Sequence, residues 1–256
     1  MKQILMILIV GLITAGKIDA QQFKRFNYQL DVGTTLTIPY KSTIEIMPEF
    51  KGHPQTNYSS NLGYFFEALI LYNLNSKFSI NTGLNYNYTA LGINDKLGFT
   101  ENKGNLTNSY VTMPVMITHR LSDKTPISIS AGPYFGLLVS AYEKGASYID
   151  TAEFAWAYPD PVLESVEPKQ KYEKDVKKGF NAIDYGVILQ LDYEIKLTQG
   201  LQGVILTRLN CGLNNVLTKV FIAKSSAMEW KNYNVMIGFE YKTKELKNVG
   251  MGLLHN

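Results

Sequence analysis

The feature that most constrains this chain is a two-residue alternation sustained over unusually long runs. In YVTMPVMITHRLSDKTPISISAGPYFGLLVSA, Tyr110 to Ala141, the residues Val111, Met113, Val115, Ile117 and Leu121 share one face. Tyr110, Thr112, Pro114, Met116, Thr118 and Arg120 share the other, which is the period of an extended strand with two unlike sides. After a polar turn at Ser122 to Thr125 the pattern resumes, with Ile127, Ile129, Ala131, Phe135, Leu137 and Val139 opposing Ser128, Ser130, Gly132, Tyr134, Gly136 and Ser140. Strands of this length exceed the roughly five or six residues usual in soluble sheets, and one unbroken apolar face suits a bilayer.

The rest of the chain repeats this unit. Asn27 to Ile38 sets Leu30, Val32, Leu36 and Ile38 against Asp31, Gly33, Thr35 and Thr37. Asn61 to Leu74 has Tyr64, Phe66, Ala68, Ile70 and Tyr72 in step, but Phe65, Leu69 and Leu71 are apolar too, so its facing stays open, with Glu67 on the polar side. Phe78 to Ile93, Phe180 to Ile195, Leu201 to Leu213 and Trp230 to Tyr241 alternate more cleanly, giving eight expected strands. Between them Tyr40 to Tyr58, Asn94 to Asn108, Glu143 to Gly179 and the stretch up to Met228 read as loops, the third with room for a short helix.

The connections alternate between long and short, as expected of an outer-membrane barrel with both termini in the periplasm. A soluble β-sandwich also alternates in its strands, but it has no reason to sort its connections by length. Tyr72, Phe78, Tyr88, Tyr142, Tyr193, Trp230 and Tyr241 fall near strand ends, where interfacial girdles belong. The expected fold is therefore all-β: an eight-stranded antiparallel up-and-down transmembrane β-barrel following an N-terminal signal peptide.

Lys2, the apolar run Ile4 to Ile13 and the small residue Ala20 read as a secretory signal, since the run is shorter than the roughly 20 residues of a spanning helix. The expected organisation is a signal peptide over 1–20, a barrel over 21–242 and a periplasmic tail over 243–256. Charged residues make up 18% of the chain, below the roughly 25% typical of soluble domains. The net charge of +3 is spread without a basic and aromatic stripe, which argues against a nucleic-acid partner. The single cysteine, Cys211, has no internal disulfide partner.

The segments TMPVMI with Pro114, SAGPYFGLL with Gly132, Pro133 and Tyr134, and LNYNYTALGI resemble the outer-membrane β-barrel proteins of Bacteroidetes grouped as PorT-like. The resemblance spans the mature chain, and its short motifs mark barrel construction. It implies a barrel in the outer membrane of a Gram-negative bacterium, and for some relatives a part in type IX secretion and gliding. Such barrels usually end on an aromatic residue, whereas here Lys242 to Asn256 follow Tyr241.

Glu67, Arg208 and Glu240 lie near the middles of their strands on the polar face, with Asp184, Asp192 and Glu194 on the sixth strand. Inside a barrel of this size such ions must pair, so Glu67, Arg208, Glu240, Asp184 and Asp192 are expected to form a lumen salt-bridge network, with Glu67 and Glu240 as partners for Arg208. A salt-bridge gate in a narrow conduit is the alternative use of the same residues. Of the three histidines, His53 is in the first outer loop, His119 near the periplasmic end and His255 in the tail, so none converge on a metal or a triad. No catalytic residue and no cofactor or metal is expected. The sequence points to a monomeric, non-enzymatic barrel in contact with outer-membrane lipid, with a protein partner or ligand at its extracellular loops or periplasmic tail. A small-solute pore and a lipid-modifying or proteolytic enzyme, the latter using His53, are the competing classes.

Overall fold

The computed structural model describes residues 26–39, 43–45, 55–97, 100–122, 125–149, 169–196, 201–217 and 231–243. They form the strands β1 (Phe26–Ile38), β2 (Thr43–Glu45), β3 (Gln55–Ser60), β4 (Leu62–Asn73), β5 (Phe78–Leu97), β6 (Thr100–Arg120), β7 (Ile127–Ile149), β8 (Lys169–Asp175), β9 (Ile183–Lys196), β10 (Leu201–Gly212) and β11 (Tyr233–Thr243). The expected signal peptide and the segment beyond Thr243 lie outside the described residues.

Eight of these strands close on themselves in the order β1, β4, β5, β6, β7, β9, β10, β11 and back to β1, every pair antiparallel. The seam joins the first and last of the described strands, from Gln29 opposite Lys242 to Ile38 opposite Tyr233. Closure matters because backbone groups have no water to bond in a bilayer, and a ring of strands leaves no open edge there. Among the described residues no helix is long and apolar enough to cross a membrane.

The two faces are inverted relative to a soluble protein. Val32, Phe66, Leu84, Ile117, Leu137, Leu189, Ile237 and Phe239 point outward and are exposed, while Asp31, Thr35, Glu67, Asn85, Ser130, Gln190 and Arg208 are buried in the lumen. An apolar exterior around a polar, close-packed interior is stable only with lipid outside. Aromatic pairs mark both rims of the apolar band. Phe26 with Tyr72 (5.1 Å) and Phe78 with His119 (4.4 Å) lie at the turn end, and Tyr64 stacks on Tyr88 (4.9 Å) at the other.

The open question of β4 is resolved: Phe65, Leu69 and Leu71 point inward and are buried, and Tyr64, Phe66 and Ile70 face lipid. The lumen accepts these bulky groups because neighbouring strands present glycines. The Phe65 ring lies over the cross-strand pair Gly33 and Gly238, where a Cβ would stand 2.7 Å from ring carbons, and Tyr134 covers Gly186 in the same way.

Pro114, Gly132, Pro133 and Tyr134 form one local construction. Pro114 pairs with Tyr134, and a Cβ on Gly132 would stand 1.9 Å from the Val115 carbonyl oxygen. The ladders of β6 skip residues on both sides here, as expected where a proline has no N–H to give.

Three expected loops are corrected. In place of a loop over Asn94 to Asn108, β5 runs on to Leu97 and β6 begins at Thr100, paired from Leu97–Thr100 downward. Within Glu143 to Gly179, β7 continues to Ile149 and β8 pairs with it, followed by a 3-10 turn at Lys177–Gly179, while residues 150–168 lie outside the described ones. Tyr40 to Tyr58 contains β2 and most of β3, which pairs with β5. The polar, glycine-bearing composition resembles a loop, but antiparallel pairing with strands already held in the barrel extends the sheet above the membrane.

Gly238→Ala places a methyl group 2.6 Å from the Val32 carbonyl oxygen and 2.7 Å from Phe65 Cζ, so it should lower stability by about 1 to 3 kcal/mol in urea unfolding from detergent micelles. Gly92→Ala meets only the Ser59 side chain within close range and should unfold near the wild-type midpoint.

Candidate functional site

Arg208 sits on β10 with its side chain wholly buried. Its guanidinium reaches across the lumen to β4, a strand that is not its neighbour in the ring. There Nη1 donates to Glu67 Oε2 at 2.7 Å and Nη2 donates to Oε1, a two-pronged contact matched to the carboxylate. Nε donates to Gln190 Oε1 at 2.6 Å on the adjacent β9, and the guanidinium carbon lies 6.0 Å from the Phe65 ring centroid. Nε and both Nη nitrogens thus each donate to an acceptor, on the two strands β4 and β9, which is the kind of compensation a buried ion pair needs.

Asp31 of β1 is the acid that the sequence reading did not assign to this network. Its Oδ2 lies 3.8 Å from Arg208 Nη2 and accepts a hydrogen bond from Gln29 Nε2 at 2.9 Å. Asn85 Nδ2 donates to Glu67 Oε2 at 2.8 Å, and Gln190 Nε2 donates to Asp192 Oδ1 at 2.7 Å. Arg208 thereby touches Glu67 and Asp31, and Asp192 joins through Gln190.

Of the other expected members, Glu240 stands beside Asp31 across the β1–β11 seam, and Asp184 stands apart. Glu240 is opposite Asp31 in the β1–β11 register and opposite Val204 on β10, four residues from Arg208 and so about 13 Å along the strand. Being mid-strand did not place it at the depth of Arg208, because tilted strands carry equal sequence positions to unequal depths. Asp184 is near the outer end of β9, where its Oδ2 accepts from Asn232 Nδ2 at 2.8 Å and from the Tyr134 hydroxyl at 3.1 Å. The motif tyrosine thus has a polar partner inside the barrel. Glu194, at the turn end, pairs with Arg120.

Apolar layers fill the lumen around these ions. Phe65, Leu206 and Met236 form one, and Leu69, Leu71, Met116, Tyr134 and Ile188 another. A third, of Leu91, Leu106, Ala141, Phe180, Val216 and Leu217, closes the outer mouth. It is pinned by Asn181, whose N–H donates to the Val216 carbonyl (2.7 Å), whose side chain donates to the Asn215 carbonyl (2.6 Å), and whose own carbonyl accepts from the Tyr110 hydroxyl (3.0 Å).

Beyond the mouth, β3, β5, β6, β7 and β8 form a sheet that extends past the barrel. On its inner face the Tyr172 hydroxyl packs over Gly104 and Gly145, and burial, with the Glu143 carboxylate acting in the same direction, pushes it up to about 12. Among the described residues no group of three or more His, Cys, Asp or Glu is placed to hold a metal ion. His53 and His255 lie outside the described residues, and His119 stacks on Phe78.

The sequence profile of the outer membrane protein beta-barrel domain matches residues 19–218. The chain belongs to that family. It is an outer-membrane β-barrel protein of the Gram-negative envelope. No curated protein matches the sequence. Among solved structures it is similar to OprG from Pseudomonas aeruginosa, with 11% identity over 86% of this chain and 96% of that one at a TM-score of 0.41. It is similar also to Ail of Yersinia pestis, with 9% identity over 85% and 99% at 0.34, and to the protease OmpT from Escherichia coli, with 10% identity over 89% and 97% at 0.25.

Arg208→Ala leaves Glu67 buried without its cation and should cost about 3 to 5 kcal/mol in urea unfolding. Combining Arg208→Met with Glu67→Gln should recover much of that loss, and a double-mutant cycle measures the coupling.

Proposed function

We propose that this outer-membrane barrel is non-enzymatic and works through its extracellular sheet, which holds a protein partner or ligand at the cell surface above a sealed lumen. The observation that carries this reading is the contrast between the two ends of the barrel. Three strands run well beyond the apolar band as ordered, paired sheet, and the lumen beneath is filled by the Arg208 network and apolar layers on either side of it. A structure built for conduction keeps a polar path open, and this one spends its interior on packing. The motifs shared with PorT-like proteins make an accessory role in type IX secretion or surface assembly the instance of this reading to examine first.

Two measurements test it. In planar bilayers the wild-type protein should give no steady, resolvable openings, and regular conductance steps would replace this reading with the pore. A photo-crosslinking residue at Gln170 or Lys174 of β8 should trap a discrete species in intact cells. The same residue at lipid-facing Leu189 should not, and equal yields at all three positions would remove the extracellular sheet as the binding element.

A further inference from the structure

The outward face of β7 changes character with height. Phe135, Leu137 and Val139 are exposed and apolar, Tyr142 follows, and beyond it come Lys144 and Tyr148. Cross-strand pairing puts Lys103 of β6 opposite Ala146, and Lys171 and Lys169 of β8 opposite Ala146 and Tyr148, all on this same outward side. The Tyr148 ring confirms the facing, with Lys103 Nζ 5.9 Å and Lys169 Nζ 5.2 Å from its centroid. Lys177 Nζ donates to the Val139 carbonyl at 2.9 Å, at the upper limit of the apolar band.

The acids on this side are outweighed. Glu101 pairs with Lys103 at 2.9 Å and Glu173 with Lys144 at 3.3 Å, and Asp175 Oδ1 accepts the Lys177 backbone N–H at 2.8 Å. Among the described residues no carboxylate lies within ion-pair distance of Lys169 or Lys171, and Lys144 and Lys103 keep side-chain exposures of 72% and 53%. The stretch from Tyr142 to Tyr148 rises about 15 Å for strands tilted by roughly 40°, so these ammonium groups stand in the layer directly above the acyl chains.

We propose that this lateral face of the extracellular sheet seats the phosphate groups of the outer-leaflet glycolipid, lipopolysaccharide. Lys103, Lys144, Lys169 and Lys171 supply the cations, and Tyr148 is the platform that gathers two of them. The face continues the lipid-facing wall of β6 and β7 past the register shift at Ser109 and Tyr110, so what stands beside it is the headgroup of the lipid whose chains lie below. Clustered lysines are compact point charges suited to phosphate oxygens, and the surplus of cations matches an anionic layer. This contact is independent of whatever the inner face or the edge of the sheet binds.

The test uses the full-length protein in neutral detergent, with rough lipopolysaccharide and the same material enzymatically dephosphorylated as probes. Native mass spectrometry should show severalfold tighter retention of the phosphorylated form, with a higher unfolding midpoint that falls as salt is raised. Replacing the four residues together (Lys103→Gln, Lys144→Gln, Lys169→Gln, Lys171→Gln) should abolish the difference between the probes, and arginine at the same positions should preserve it. Equal retention of the two probes by wild-type protein overturns the proposal, as does a glutamine variant that discriminates like the wild type. If the glutamine variant fails the heat-modifiability test for a folded barrel, the wild-type and arginine comparisons still decide.

Discussion

Everything in this structure depends on one solvent constraint: within the hydrocarbon layer a backbone N–H or C=O has only other backbone groups to bond. The antiparallel ring from β1 to β11 meets that demand and fixes the rest. Closure gives the wall two faces of opposite solvent, so Val32 and Phe239 meet lipid while Asp31 and Glu240 between and beside them turn inward. It also sets a small lumen, which must be filled by side chains. Bulky groups enter only where glycines make room, as Gly33 and Gly238 do for Phe65.

The charged centre follows from the same limit. Arg208 would be costly facing lipid, and inward it meets a space without bulk water, so its fork is shared among Glu67, Asp31 and Gln190. Because the Glu67 contact joins strands that are not neighbours in the ring, it braces the barrel across its lumen. Apolar layers flank it, and the Asn181-pinned cluster packs the mouth.

The period of two made the barrel legible, since lipid-facing residues sit at every second position regardless of tertiary detail. Glu67 and Arg208 were legible as inward ions because an unpaired charge has no other acceptable place. Asp31 as a partner was not assigned, although it lies on the same face, because the register that sets it opposite Glu67 emerges only when β1 and β4 are paired. Glu240 stands beside Asp31 across the seam, because strand tilt sets it at a different depth from Arg208. The facing of Phe65, Leu69 and Leu71 stayed open because a side-chain-filled lumen accepts apolar residues, which blurs the alternation. The sheet beyond the apolar band is not legible in the sequence because Asn, Gly and Lys are loop-like locally, and its strands are held by pairing with strands anchored below.

The central claim is that the lumen is packed and braced by the Arg208 contact across the barrel. The most direct measurement is the exchange and nuclear Overhauser behaviour of the Arg208 guanidinium protons in lipid bicelles. The account predicts slow exchange with solvent, with contacts from the Nε proton to Gln190 on the adjacent strand and from the Nη protons to the methylenes of Glu67 across the lumen. Rapid exchange without any cross-barrel contact would show a water-filled interior and contradict it.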